Sequence, residues 1–314
     1  MLQSNIRVKR STSVLKELSQ NQREKEKKPV RLNDRSLARL IPTRRENGNK
    51  STFGKVLVVA GSQNMAGAAI LAARAAFAAG CGMVMVLTDE CNRIIMQTAV
   101  PEALLATYDG EIDTEVVENA LEWASCVLIG PGLSTGDEAR DLLDYVMQHS
   151  GRMPIVFDAD ALNIISEDES RMNFAGRKAI VTPHVGEMSR LVGMPISEIQ
   201  SHMTETAEAF AAHHGITVLL KDAVSVISSP GRKTVENHTG NSGMATAGSG
   251  DVLAGLITGL VAQGMTNPDA AMVGAYMHGR AGEFAAMEKT EYSMTASDII
   301  RHIPDVFALA FSHC

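Results

Sequence analysis

Lys55-Val-Leu-Val-Val-Ala60 is an unbroken apolar run, followed by a turn over Gly61–Gly67 and an alanine-rich stretch through Ala79 with the pattern of a helix. A short segment that is apolar on both faces is the mark of a strand buried between two layers, because a half-buried strand alternates instead. The same mark recurs at Met83–Leu87, Cys126–Ile129, Pro154–Phe157, Ala179–Val181 and Thr217–Leu220, each with Gly, Asp or Pro within the next two residues. Helical patterns lie between these runs. The sequence therefore predicts an α/β protein with a mostly parallel central sheet and helices on both faces, a three-layer α/β/α arrangement. Val224–Ile227 and Lys233–Glu236 flank Pro230-Gly231, which predicts a hairpin at the sheet edge. From Val252 onward the chain reads as mainly helical.

Composition agrees with that plan. The 314 residues are 45% hydrophobic but only 4% aromatic, so small side chains must do the packing and helices can approach strands closely. Ala66–Leu87 is the most apolar stretch, but Arg74 and a change of pattern halfway identify a buried helix and a strand, not a membrane span. Four separated cysteines, Cys81, Cys91, Cys126 and Cys314, lack any CxxC pair. They are expected to be reduced thiols in a cytoplasmic protein. The methionines read as core filling.

Residues 1–50 carry 14 Lys/Arg and 5 Asp/Glu, a net of +9, which leaves −16 for the rest of the chain. A basic arm can serve nucleic-acid binding, but this one lacks interleaved aromatics and any base-reading motif. It is read as a solvated, partly disordered extension of 1–50 preceding a single domain over 51–314, with neither nucleic acid nor membrane as a partner.

In open α/β sheets, ligands sit beyond the carboxyl ends of the strands. The segments there carry capable groups in strand order: Gly61-Ser-Gln-Asn64, Gly130-Pro-Gly-Leu133, Asp158-Ala-Asp-Ala-Leu-Asn163, Thr182-Pro-His-Val-Gly-Glu187 and Lys221-Asp-Ala223. The richest is Gly240-Asn-Ser-Gly-Met-Ala-Thr-Ala-Gly-Ser-Gly-Asp251, which runs into the helical pattern from Val252. Glycines let successive amides turn toward an oxyanion, and a helix N-terminus adds unpaired N–H groups and a positive dipole end. Asp251 could be no more than the N-cap of that helix, but a cap explains neither the glycines nor the small residues before it. Gly243 and Gly248 have Walker A spacing, yet Ser249-Gly250 stands where Lys-Ser/Thr is required, so a P-loop is rejected.

Gly248-Ser-Gly-Asp251 followed by Val-Leu-Ala-Gly255 resembles the anion hole and catalytic base of ribokinase-like enzymes. From about Phe53 to the C-terminus the blocks, in order, resemble the ADP/ATP-dependent NAD(P)H-hydrate dehydratases. The resemblance implies a ribokinase-like fold and a hydro-lyase that repairs damaged cofactor, returning the S epimer of NADHX or NADPHX to NAD(P)H at the expense of ADP or ATP with Mg2+. It implies that Ala68, Gly132, His184 and Asp251 contact the dinucleotide, and that Lys221, Asp222, Ala223, Val224, Ser225 and Gly250 hold the adenine nucleotide. Gly248, Ser249 and Gly250 would form the anion hole; Asn163, Glu187 and Asn241 would touch substrate or Mg2+, with no metal held directly by the protein. Two positions depart from the family pattern: Asp222 replaces its usual glycine, and Ser249 its usual threonine, which keeps the hydroxyl. Many members carry an N-terminal epimerase domain, for which the residues before Phe53 are too few, so a separate epimerase is expected. A homo-oligomer, commonly a tetramer, is also expected.

On this reading Asp251 takes the proton of the substrate hydroxyl as its oxygen attacks the terminal phosphoryl group, and phosphate then leaves in place of hydroxide. From the residues alone, Asp158, Asp160 and Asn163 either reach Mg2+ or close a turn, Glu187 either binds or starts a helix favourably, and Lys221 either binds phosphate or ends a strand. His213, His214 and His278 read as structural. Two other functions fit the loop: a ribokinase-like kinase for a small alcohol such as a vitamin precursor, and a non-catalytic nucleotide-binding regulator.

Overall fold

A computed structural model describes residues 31–312. Nine strands form one sheet: β1 (Lys55–Val59), β2 (Met83–Asp89), β3 (Leu104–Tyr108), β4 (Cys126–Ile129), β5 (Ile155–Phe157), β6 (Ala179–Val181), β7 (Thr217–Leu220), β8 (Ser225–Ser228) and β9 (Val235–Asn237). Their order is β3-β2-β1-β4-β5-β6-β7-β8-β9. Pairing is parallel from β3 to β7, and β8 and β9 add antiparallel to the far edge. The predicted edge hairpin is that β8–β9 unit.

The helices are α1 (Asp34–Leu40), α2 (Ala66–Ala78), α3 (Arg93–Ala99), α4 (Thr114–Trp123), α5 (Asp137–His149), α6 (Asp160–Glu167), α7 (Val185–Val192), α8 (Ile196–Ser201), α9 (Met203–His214), α10 (Ser249–Ala262), α11 (Asn267–Lys289) and α12 (Ala296–Phe311). Alternate side chains of each central strand enter different cores, as the double-sided apolar runs require. Val56 and Val58 join the core built with α2, α10, α11 and α12. Leu57 and Val59 join the one built with α4, α5, α6, α7 and α9. Small residues set the first layer's spacing: a Cβ on Gly255 of α10 would lie 2.2 Å from the Ala72 carbonyl of α2. Any side chain there would push the two helices apart.

The structure adds two elements to the sequence reading. Strand β3 carries no double-sided apolar run because it is an edge strand, with Leu104 44% exposed. The extension expected over 1–50 is folded in part: α1 buries Leu37 fully, and Arg44 donates to the Gly80 carbonyl at 2.9 Å. Residues 1–30 lie outside the described residues, as does Cys314. Cys81 and Cys126 are buried free thiols, while Cys91 is exposed. Among the described residues no helix is long and apolar enough to cross a membrane.

Strand order reverses between β1 and β4, whose neighbours diverge in opposite directions, and a crevice opens there at the carboxyl ends. Gly61 donates to the Pro131 carbonyl at 3.0 Å, tying the loops after β1 and β4 together across that switch point.

Candidate active site

The centre of the site is a buried ion pair at the ends of β5 and β7. Lys221 Nζ donates to Asp158 Oδ1 at 2.7 Å, and Thr182 Oγ1, from the end of β6, donates to the same oxygen at 2.7 Å. Asp158 is only 1% exposed. Burial opposes the Lys221 charge, but Asp158, Glu187 and Asp251 more than offset it, so its pKa is raised and the ammonium is retained. Ala159, next to Asp158, sits at φ 49°, ψ −120°, a conformation a side chain resists. That strain turns the chain so that Asp160 Oδ2 accepts the Ser134 amide at 2.8 Å.

Helix α10 delivers the second half. Gly248 is its N-cap, at φ 86°, so Asp251 is not the cap but the third residue of the first turn. A Cβ on Gly250 would lie 3.5 Å from Lys221 Nζ and 3.9 Å from Asp158 Oδ2. The amide end of α10 thus faces the ion pair, where dipole and lysine together favour an anion. Burial, followed by the like charge of Asp158, raises the Asp251 carboxyl to about 7 despite Lys221. A carboxylate with that proton affinity is a competent base near neutral pH.

His184 is the N-cap of α7. Its Nδ1 accepts from the amides of Gly186 (2.9 Å) and Glu187 (3.2 Å), which puts the ring proton on Nε2, 3.3 Å from Glu187 Oε1. Glu187 Oε2 closes the capping box on the His184 amide at 2.8 Å. Burial, followed by Lys221 and Arg190, lowers the His184 pKa, so the ring is neutral. Burial raises Glu187 to about 7 against the pull of Lys221. Asp251, Glu187 and Asp158 therefore surround one lysine, and each favours its charge. On the switch-point side, Gly132 at φ 58° packs against α2; a Cβ there would meet the Ala68 Cβ at 2.8 Å. Sixty-four positions apart in sequence, the two form one wall.

The NAD(P)H-hydrate dehydratase family model matches residues 56–305. The chain belongs to that family. It is 39% identical over 247 residues to the ADP-dependent (S)-NAD(P)H-hydrate dehydratase of Neisseria meningitidis, covering 78% of this chain and 81% of that one. The crystal structure of the ADP/ATP-dependent NAD(P)H-hydrate dehydratase from Bacillus subtilis, co-crystallized with ATP/Mg2+, superposes with a TM-score of 0.78 at 28% identity, over 90% of this chain and 99% of that one. A ribokinase-like superfamily protein from Enterococcus faecalis gives 0.82 at 28% identity, over 91% and 98%. The fold is ribokinase-like. The chain spans about half the length of the bifunctional repair enzymes among its curated relatives.

The positions that the dehydratase resemblance singled out do not all come together. Lys221, Gly250, Asp251, His184 and Glu187 meet around Asp158, and the parallel bridge between His184 and Lys221 ties two of their loops. Ala68 and Gly132 line the neighbouring switch point. The turn Asp222–Ser225 leads from β7 into β8, and the Asp222 carboxylate is occupied by the Ala223 amide (2.8 Å) and Gln200 Nε2 (3.3 Å). Asn163 bridges Asp160 and Arg190. Asn241 instead holds the Gly282 carbonyl at 2.9 Å and lines a cavity of about 670 Å³ with Glu283, Glu291 and Tyr292. Sequence reasoning missed Thr182 and left Asp158 open; both follow strands, but the partner of Asp158 lies 63 positions away. No cluster of three or more His, Cys, Asp or Glu residues suited to a metal occurs among the described residues.

Proposed function

We propose that this chain dehydrates the S epimer of NAD(P)H hydrate back to NAD(P)H, using ADP or ATP as phosphoryl donor, with ADP giving AMP and phosphate. The observation that carries the reading is Asp251, a half-buried carboxyl raised to about 7, placed in the first turn of α10 beside Lys221. In this reading Asp251 serves as the base and Lys221 as the phosphate anchor beside it.

Hydroxide is a poor leaving group, so the ring carbon must first carry a better one. In the proposed step Asp251 accepts the substrate hydroxyl proton while that oxygen attacks the terminal phosphoryl group, and the nucleotide leaves one phosphate shorter. The amides of Ser249 and Gly250, with Gly248 opening the turn, stabilise the charge that develops on the phosphoryl oxygens, and Lys221 supplies a fixed positive charge from below. Loss of inorganic phosphate, with a proton lost from the neighbouring ring carbon, restores the dihydronicotinamide. His184, Gly132 and Ala68 shape the dinucleotide side, and Asp222–Ser225 the adenine side. The Asp158 and Glu187 carboxylates are the oxygen donors that would hold, through its water ligands, a magnesium ion carried by the nucleotide. Its chemistry there is to neutralise phosphate charge.

Cytoplasmic residence, a homotetrameric assembly and an epimerase acting in the same pathway complete the proposal. The test is to supply (S)-NADHX with ADP and with ATP, with and without Mg2+, and follow absorbance in the dihydronicotinamide band. The band is expected to recover only with nucleotide present. A stable phosphorylated product would instead identify a kinase, and nucleotide binding without turnover a regulator.

A further inference from the structure

The stretch that forms the anion loop is gripped at both ends by α11. At its start, the amide of Gly240, at φ 111°, donates to Glu283 Oε1 at 3.0 Å. At its end, Ser249 Oγ lies 3.4 Å from His278 Nε2, and both residues are buried. Between these anchors the loop lies directly on the helix backbone. A Cβ on Gly279 would stand 2.0 Å from Thr239 Oγ1, and one on Gly282 2.4 Å from Met244 Sδ. Gly279 and Gly282, three apart, open one face of α11 to the loop, and His278 and Glu283 flank that face on either side.

Glu283 is itself fixed. Its second oxygen pairs with Arg280, whose Nε lies 3.4 Å from Asp34 Oδ1 of α1, and Tyr276 Oη donates to that Asp34 oxygen at 2.7 Å. Asp34 precedes the span matched by the family model, so α1 reaches the loop through this chain of charges. Burial pushes His278 down to about 4, so the ring is neutral and brings no charge beside the phosphoryl site.

We infer that Glu283 and His278 are positioning residues for the anion loop: α11 clamps its two ends so that the amides opening α10 are already aimed when the phosphoryl group arrives. Donors fixed in advance need no reorganisation as charge develops, which is how such a loop accelerates transfer. The identity of the phosphoryl group rests on the dehydratase reading; the clamp does not.

The test is amide hydrogen exchange on the full-length chain, read on peptides covering Gly240–Gly250, in wild type, Glu283→Ala, Glu283→Gln and His278→Ala. Gln keeps an acceptor oxygen for the Gly240 amide at nearly the same volume. Exchange in the loop should quicken about tenfold or more in Glu283→Ala and His278→Ala but stay within about threefold of wild type in Glu283→Gln, with β1 and β4 unchanged throughout. In the turnover assay, kcat of Glu283→Ala should fall about 10- to 100-fold with nucleotide KM within about threefold, and Glu283→Gln should recover most of it. Unaltered loop exchange in both alanine variants would overturn the inference. So would a loss of protection spread evenly over the whole chain, or a turnover loss confined to KM. The exchange result stands whether or not wild type dehydrates NADHX, so failure of the clamp and failure of the functional reading are separable.

Discussion

Two aspartates occupy the third position of two helices, and their surroundings give them opposite properties. Asp298 in α12 is 2% exposed, accepts from the Thr295 amide (2.8 Å) and hydroxyl (2.9 Å), and pairs with Lys289 and Arg301. Its burial alone would raise the carboxyl, but these partners lower it overall, so it is held charged. Asp251 in α10 is covered too, yet no hydrogen bond contributes to its titration, and Asp158 adds a like charge; it is raised to about 7. The sequence pattern is the same small-residue N-terminus in each case. A satisfied carboxylate is a cap, and an unsatisfied one beside a second carboxylate and a lysine is a base.

The sharpest way to break this contrast is to neutralise each in turn. Asp251→Asn should lower turnover about 10²- to 10⁴-fold while leaving nucleotide affinity within about threefold, whereas Asp298→Asn should leave turnover nearly unchanged. Steady-state kinetics with a nucleotide titration decides it, and equal effects from both would dissolve the distinction. Lys221→Met should follow, raising nucleotide KM about 10- to 100-fold and leaving Asp158 buried without its cation. Ligand titration and chemical denaturation read the two consequences separately.

Stability should also part with pH. The Asp298 carboxyl is lowered on folding, so its contribution is present above its unfolded value and lost as pH falls through the folded one. Asp251 is raised, so the opposite holds: folding is penalised as pH climbs from the unfolded value toward about 7 and beyond. Asp251→Asn should therefore stabilise the fold by about 1–3 kcal/mol at pH 8 and by nearly nothing at pH 4, while Asp298→Asn destabilises by about 1–3 kcal/mol at pH 8. Urea denaturation at the two pH values checks both signs. In kinetics, wild-type kcat/KM should decline below an apparent pKa near 7, and Asp158→Asn should move that limb to lower pH by removing the like charge. The smallest effect is expected at Asp222→Gly, within about threefold in nucleotide affinity, because the carboxylate is already turned onto Ala223 and Gln200.

How much of this was legible in the sequence follows from burial and sequence distance. Central strands declared themselves because both faces are covered, as at Val56–Val59. Edge strand β3 did not, and neither did α1, a seven-residue helix in charged sequence that contributes one fully buried leucine. The loop glycines and Asp251 were readable because they stand in one contiguous stretch, Gly240–Asp251. The environment that gives Asp251 its proton affinity was not: Asp158, Lys221 and Thr182 come from three strands, and only the parallel register sets them side by side. His184 was read as a ligand-facing ring. Its Nδ1 is spent on capping α7, and its Nε2 lies 3.3 Å from Glu187 Oε1, so both ring nitrogens already have partners within the helix cap.

The most direct test of the central claim is a single-turnover reaction with (S)-NADHX and ADP, counting inorganic phosphate against restored dihydronicotinamide in wild type and Asp251→Asn. The account predicts one phosphate released per dihydronicotinamide restored in wild type, and neither product on the same timescale in the variant. Dihydronicotinamide restored without phosphate release, or at an undiminished rate in Asp251→Asn, would contradict it.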